Sequence, residues 1–359
     1  MTWFENLTGC REESPGHVRK HLVFDGNQLR SKSNGNAWCC GELETPTLAE
    51  LRERVRLTSR TAGTTKVREV VADVQALHCD ASNAGAMFQV ASQFNLLEMT
   101  SPNIVPEDGV GIYELDFTQG PACAIAAGAG TIYRNYFAKV NGQVGQTSLN
   151  QIDCLADIGA RLGNSDQRLW EMVNGYALPT KSGLECVNKQ LNDLDELQMH
   201  ELRGLLRIGL QLDTQVTLNS SDHVVSQSYC SAMPVSYSEH SSEAWTRFAT
   251  VILEAAYEAT ICAAMENARR TGNNRLYLTL LGGGAFGNEM NWIIESIHRA
   301  ICMHSDCGLD IAIVSYGTSK PPVQQLIQML TQHIRDRTNK ALTSRRTRRS
   351  STPRSRKPD

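Results

Sequence analysis

Apolar positions along this chain change their period several times, and each change marks an element. From Val67 the pattern reads as a strand through His78. Ser82–Leu97 follows with Met87, Val90, Phe94 and Leu97 three or four residues apart, the spacing of one helix face. Upstream, Thr47–Thr58 shows helical spacing through Leu48, Leu51, Val55 and Leu57, with Thr47 in the capping position. A loop rich in proline, glycine and acids, Thr100–Gln119, leads to the short apolar run Pro121–Ala127 and then to Gly128-Ala129-Gly130. Leu149–Leu162 and Gly183–Leu194 read as helices. Leu205–Leu218 and Val224–Ala232 read as strands that could lie side by side. Glu243–Arg270 is a long helix, amphipathic through Trp245, Phe248, Ile252, Ala255, Ala259 and Ala263. Strand Arg275–Leu281, helix Asn288–Met303, strand Leu309–Ser315 and helix Pro322–Arg335 complete the pattern. Strands alternating with helices predict an α/β sheet with helices on both faces, and no internal repeat is visible.

Composition narrows this little. The 359 residues can bury one large core or two modest ones, and the apolar content of 41% with mixed charge is that of a soluble globular protein. The apolar stretch Pro121–Tyr133 is too short for a membrane span and is broken by Gly128 and Gly130, and the N-terminus lacks the basic start and apolar run of a secretory signal. No membrane partner is expected. The eleven cysteines are odd in number and contain no C-x-x-C, and Cys123, Cys154, Cys230 and Cys262 sit inside apolar runs. They read as reduced core thiols of a cytoplasmic protein, with no metal constellation.

Charge is unevenly placed. Residues 340–359 carry eight Lys/Arg against one acid, or +7, so the remaining chain is about −10 when the total is −3. Residues 338–359 form a basic tail expected to be disordered, either a nuclear-import or anionic-surface segment or simply a solvated end. The acidic body argues against a nucleic-acid-binding core. Residues 1–65 are polar and read as an N-terminal extension, which leaves 66–337 as the main domain.

The most informative motif is Gly282-Gly283-Gly284-Ala285-Phe286-Gly287, placed between a strand and a helix. Bare backbone N–H groups converging at a helix N-terminus favour an anionic phosphate. The glycines at 282, 284 and 287 fit G-x-G-x-x-G, the turn of a Rossmann-type NAD enzyme. Against that, the next strand ends in Tyr316-Gly317-Thr318, and its acid, Asp310, lies at the wrong edge of the sheet to hold a ribose. A glycine turn that only packs a helix on a strand is the plain alternative.

The sequence L-L-G-G-G-A-F-G-N before a helix resembles the phosphate loop of macrodomains, through Gly283, Gly284, Ala285, Phe286, Gly287 and Asn288. The stretch His78–Phe88 is similar to the family's ribose loop, with Asp80, Asn83 and Gly85 in the matching places. Ser92–Asn95 resembles the segment where poly(ADP-ribose) glycohydrolases carry paired glutamates. Ser92 and Gln93 stand there instead, a departure that argues against cleavage of the polymer. The run from Pro106 to Tyr136 resembles the MavL-type branch, hydrolases that remove ADP-ribose from arginine of ubiquitin. This resemblance covers about Val67–Leu330. It implies a three-layer α/β/α fold with a central mixed sheet, ADP-ribose as ligand or product, and no cofactor. The implied partner is an ADP-ribosylated protein, with ubiquitin the expected carrier.

Cleaving an arginine-linked ADP-ribose passes through an oxocarbenium-like ribose as guanidine departs, which calls for carboxylates near both. The loop offers Glu107, Asp108, Glu114 and Asp116. Asp108 and Asp116 are the expected pair if the loop folds back, with Glu114 in reserve, although acids in a polar loop are often only solvated. Asp80 could equally cap a helix near Ser82. Asn83 is expected to bond the ribose hydroxyls, and Gly128 and Gly130 either let backbone approach the ligand or only make a turn. His78 reads as a core histidine. A non-catalytic ADP-ribose reader is the rival, but four acids beside an anionic ligand serve it poorly.

Overall fold

The computed structural model describes residues 1–57 and 63–350, with side chains described through residue 337. Seven strands form the central sheet: β1 Glu42–Glu44, β2 Lys66–Val71, β3 Met87–Ala91, β4 Gly209–Gln215, β5 Val224–Cys230, β6 Arg275–Leu278 and β7 Asp310–Ser315. Their order is β1-β4-β5-β3-β6-β7-β2. β5, β3, β6, β7 and β2 run parallel, and β4 is antiparallel to both β5 and β1, so the sheet is mixed.

Helices cover both faces, as successive residues of β5 show. Gln227 Nε2 donates to the Cys123 carbonyl 2.9 Å away, in helix Gln119–Ala126. Its neighbour Ser228 meets Thr260 Oγ1 at 3.2 Å, in helix Ser242–Thr271. Adjacent strand residues point to opposite faces, so these helices lie on opposite sides of the sheet. Helix Ser242–Thr271 is long and apolar enough to cross a membrane, yet 83% of its most apolar window is buried inside this fold, where it serves as the core helix. Helices Leu48–Leu57, Lys181–Asn192, Glu196–Gly204 and Met290–Met303 pack on it.

Two sequence expectations fail here, and the failures move the candidate site. Val67–His78 is not one strand. β2 stops at Val71, and Asp73 then caps helix Val74–Cys79 by accepting the N–H groups of Gln75 and Ala76. Ser82–Leu97 is not a helix either: a short 3₁₀ turn, Ala81–Asn83, leads into β3. β3 lies mid-sheet and is buried on both faces, so it lacks the alternation that marks a half-exposed strand. The stretch His78–Phe88 therefore enters the N-terminal end of β3. β6 runs parallel to β3, and its glycine loop follows its C-terminal end, at the other edge of the sheet.

Other boundaries shift less. Only Ala156–Leu162 of the expected helix Leu149–Leu162 is helical; the part before it is tied down by side chains, as where Gln146 Oε1 accepts the Ile152 N–H. Pro121–Ala127 lies in helix Gln119–Ala126, and Gly128-Ala129-Gly130 opens helix Gly128–Tyr136 rather than a turn. The last helix runs from Pro321 to Ser350, and residues 351–359 lie outside the described residues.

Residues 1–41 build a layer of their own. Helices Trp3–Thr8 and Pro15–His21 and the three-stranded sheet of Leu22–Asp25, Gln28–Ser31 and Ala37–Cys39 bury Phe4, Val18, Leu22, Leu29 and Trp38. These pack against Val110, Tyr113, Ala129, Ile132 and Tyr136. Polar contacts pin the acidic loop to this layer. Glu12 accepts the N–H groups of Val110 (2.9 Å) and Gly111 (2.6 Å) and the Tyr136 hydroxyl (2.7 Å). All eleven cysteines are free thiols, and Cys123, Cys154, Cys230 and Cys262 are buried.

Candidate active site

Above the C-terminal ends of β3 and β6 lies a cavity of about 130 Å³. The cavity opens to solvent, so a ligand larger than it can extend over the rim. It is walled by residues 91–93 and 98–100 at the end of β3 and beyond it, by Asp116 and residues 118–121 around the next helix start, by Tyr176, Ala232 and Tyr237, and by residues 279–282 and 284–286 after β6.

The glycine loop is shaped by its own backbone. Gly282 and Gly287 have φ of +75° and +70°, which side-chain-bearing residues adopt only with strain. A Cβ at Gly287 would also collide with Ser236 Oγ. The turn is closed by Gly287 N–H to Gly284 O (3.0 Å) and Asn288 N–H to Gly282 O (2.9 Å). Asn288, buried, fastens it by donating to the Met233 carbonyl at 2.8 Å. The N–H groups of Gly284, Ala285 and Phe286 have no hydrogen-bond partner among the described residues, and Gly284 to Phe286 line the cavity. Three consecutive free donors suit a phosphate oxygen. The Phe286 ring packs on Tyr176 and Tyr237, with centroids 5.3 and 5.6 Å apart.

Tyr176 is delivered by a hairpin that the sequence reading missed, Trp170–Val173 with Tyr176–Pro179. Its turn is Asn174-Gly175 with φ of +46° and +82°, the type I′ geometry this pair favours.

The opposite wall holds the most unusual group. Glu98 is 1% exposed and lines the cavity, and neither carboxylate oxygen has a hydrogen-bond partner among the described residues. Burial pushes its carboxyl up to about 8, partly offset by the Arg134 guanidinium. Arg134 stands 3.9 Å away and is engaged elsewhere: Nε donates to Leu96 O, Nη2 donates to Thr131 Oγ1, and the guanidinium lies 3.6 Å above the Tyr229 ring. Burial thus favours the protonated form of Glu98. The turn carrying it is locked by Gln93, whose side chain bonds both the N–H (2.9 Å) and C=O (3.2 Å) of Met99. Gly120 permits the close fit of the neighbouring helix. A Cβ there would run into the Ala91 carbonyl oxygen and come within 3.2 Å of Glu98 Cγ.

Of the four loop acids, Asp116 lines the cavity, with Oδ1 accepting the Thr118 N–H at 2.8 Å. The other three are held away from it. Glu107 accepts from Ser148 N (2.9 Å), Asp108 caps its own 3₁₀ turn through Val105 N (2.9 Å), and Glu114 accepts the Trp3 N–H (2.8 Å).

The structure does not bring the expected ribose loop to this cavity. Asp80 accepts the Ser82 N–H at 2.9 Å. Asn83 is buried, accepting from Tyr277 Oη (2.7 Å) and Arg275 Nη1 (2.8 Å), and Gly85 lies in the same turn before β3. Gly128 and Gly130 are packing positions, where a Cβ would press on Trp3 (2.7 Å) and on Thr214 Oγ1 (2.6 Å). His78 is a buried core residue stacked on Phe88, and burial holds its imidazole down to about 4. Asp310 pairs with Arg68 through two 3.1 Å bonds at the start of β7, far from the glycine loop.

Glu98 escaped the sequence reading because a lone glutamate in a connecting loop looks solvated. The available signal was its setting, Leu96-Leu97-Glu98-Met99, a charge inside an apolar run.

No family model and no curated protein matches this chain. Among solved structures, the chain is similar to poly(ADP-ribose) glycohydrolase from Deinococcus radiodurans in complex with ADP-ribose. Identity is 12%, the match covers 81% of this chain and 94% of that one, and the TM-score is 0.44. It is also similar to the Thermomonospora curvata poly(ADP-ribose) glycohydrolase, at 11% identity over 88% of this chain and 96% of that one, with a TM-score of 0.43. The same enzyme bound to the inhibitor ADP-HPD gives a TM-score of 0.42 at the same identity and coverage. At such identities the activity of this chain rests on its own site.

Proposed function

We propose that this protein binds ADP-ribose in the cavity and hydrolyses its glycosidic link to a modified protein, with arginine of ubiquitin as the substrate. The observation that carries the reading is that Glu98, buried and with neither oxygen hydrogen-bonded among the described residues, opens onto the same cavity as the amides of Gly284, Ala285 and Phe286, which also lack partners among those residues. The amides would take the diphosphate, Phe286 would wall the adjoining sugar, and the link would reach Glu98.

The chemistry follows from the two carboxyl groups. Glu98, protonated, gives its proton to the linking atom as the ribose C1–N bond breaks. Asp116, at the mouth, takes a proton from the attacking water, whose oxygen bonds to C1. ADP-ribose and the arginine guanidinium leave, Asp116 gives its proton to solvent, and Glu98 regains one from solvent. A neutral Glu98 also spares the anionic diphosphate from repulsion. A reader that only holds ADP-ribose has no use for a buried acid with unpaired oxygens, which favours hydrolysis.

The test is mass spectrometry of arginine-, serine- and glutamate-linked ADP-ribosyl proteins incubated with wild type and with Glu98→Gln. Release from the arginine-linked substrate by wild type alone is expected, while the variant still binds free ADP-ribose. Full turnover by the variant would overturn the assignment of Glu98.

A further inference from the structure

The segment that carries Asp116 has a second, outward face. Asp116 is extended, with φ −115° and ψ 113°, so its neighbours alternate in direction. Asp116 and Thr118 line the cavity, whereas Leu115 and Phe117 are 72% and 94% exposed. Single exposed apolar residues are ordinary on protein surfaces. Here two of them bracket a cavity-lining carboxylate on a backbone that is held from both sides. Glu12 grips Val110 and Gly111, Glu114 grips the N-terminal helix at Trp3, and Asp116 grips Thr118. The side chains are thus presented on a fixed frame at the cavity mouth.

Charge identifies what fits this rim. Residues 107–116 hold four acids and no lysine or arginine. Glu107, Asp108, Glu114 and Asp116 all belong to the rim loop, and no cationic side chain among the described residues lines the cavity. A partner that meets this face offers a basic surface with an apolar spot, while its modified residue reaches inward.

We propose that Leu115 and Phe117 form a recognition rim that docks the protein carrying the ADP-ribose, a partner with a basic surface and an apolar contact beside its modified arginine. This rests on the function proposed above and deepens it. Selection for protein-linked over small ADP-ribosyl substrates would arise outside the cavity, from contacts that add to binding without entering the bond-breaking step.

The experiment compares wild type with Leu115→Ser/Phe117→Ser on two substrates, an ADP-ribosylated basic protein and small-molecule ADP-ribosyl-arginine. Thermal shift with free ADP-ribose serves as the control on the cavity. The double variant is expected to lose at least tenfold in kcat/KM on the protein, mainly through KM, and less than twofold on the small substrate, with the ADP-ribose shift intact. Equal losses on both substrates, or none on the protein, would overturn the rim. If wild type cleaves neither substrate and shows no ADP-ribose shift, the underlying function fails instead. A Phe117→Leu variant should recover protein turnover if apolar contact is what matters.

Discussion

Replacing Glu98 by glutamine should stabilise this protein, and by an amount that grows with pH. The carboxyl sits at about 8 in the folded chain against an ordinary value of 4.5, because it is buried without a hydrogen-bond partner. Below pH 4.5 folded and unfolded chains both hold the proton, and nothing is lost. Between 4.5 and about 8 the unfolded chain releases it while the folded chain keeps it, so folding stability falls by about 1.4 kcal/mol per pH unit. Between pH 5 and 7 the loss is about 3 kcal/mol, a large share of the roughly 5–15 kcal/mol that holds a domain together. Glutamine does not titrate and escapes it. Urea unfolding of wild type and Glu98→Gln at pH 5, 6, 7 and 8.5 measures the gap. The account requires the gap to widen by about 3 kcal/mol from pH 5 to 7 and to level off above pH 8. A gap that stays constant with pH would mean that Glu98 is ionised in the folded protein, and the acid role would fall with it.

Four further outcomes follow from the same geometry. Hydrolysis should decline above about pH 8 as Glu98 ionises. Arg134→Met, which removes the charge that lowers the Glu98 value, should move that alkaline limb upward in a kcat/KM profile. Asp116→Asn should lower kcat by about a hundredfold, whereas Asp108→Asn, on a residue that only caps its own turn, should lower it by less than about tenfold in the same assay. Gly287→Ala should weaken ADP-ribose binding and cost about 2 kcal/mol in urea unfolding, because it strains a positive φ and collides with Ser236.

The parts of the chain legible in the sequence are those with a clear boundary or a one-sided pattern. Strand Arg275–Leu278, its glycine loop and helix Met290–Met303 were readable because glycines punctuate them and one face of the helix is apolar. Leu205–Leu218 and Val224–Ala232 read as strands that could lie side by side, and β4 and β5 pair antiparallel. β3 was misread because a strand buried on both faces has no period of two, and its Met87 and Val90 happen to match helical spacing. That one error carried Asp80, Asn83 and Gly85 to the wrong edge of the sheet. The site was half legible. The donors of the glycine loop are a local property of the backbone and appear in the sequence. The buried acid is not local, since Glu98 owes its chemistry to residues far along the chain, Arg134 and Tyr113 among them. The N-terminal layer was hidden for the same reason: Phe4, Leu22 and Trp38 become a core only against Val110 and Tyr136.

A crystal structure of Glu98→Gln with ADP-ribosyl-arginine bound tests the central claim most directly. The diphosphate should lie on the amides of Gly284, Ala285 and Phe286, with the ribose–guanidine bond between residue 98 and Asp116. A ligand bound instead beside Asp80 and Asn83, or a ribose turned away from residue 98, would contradict the account.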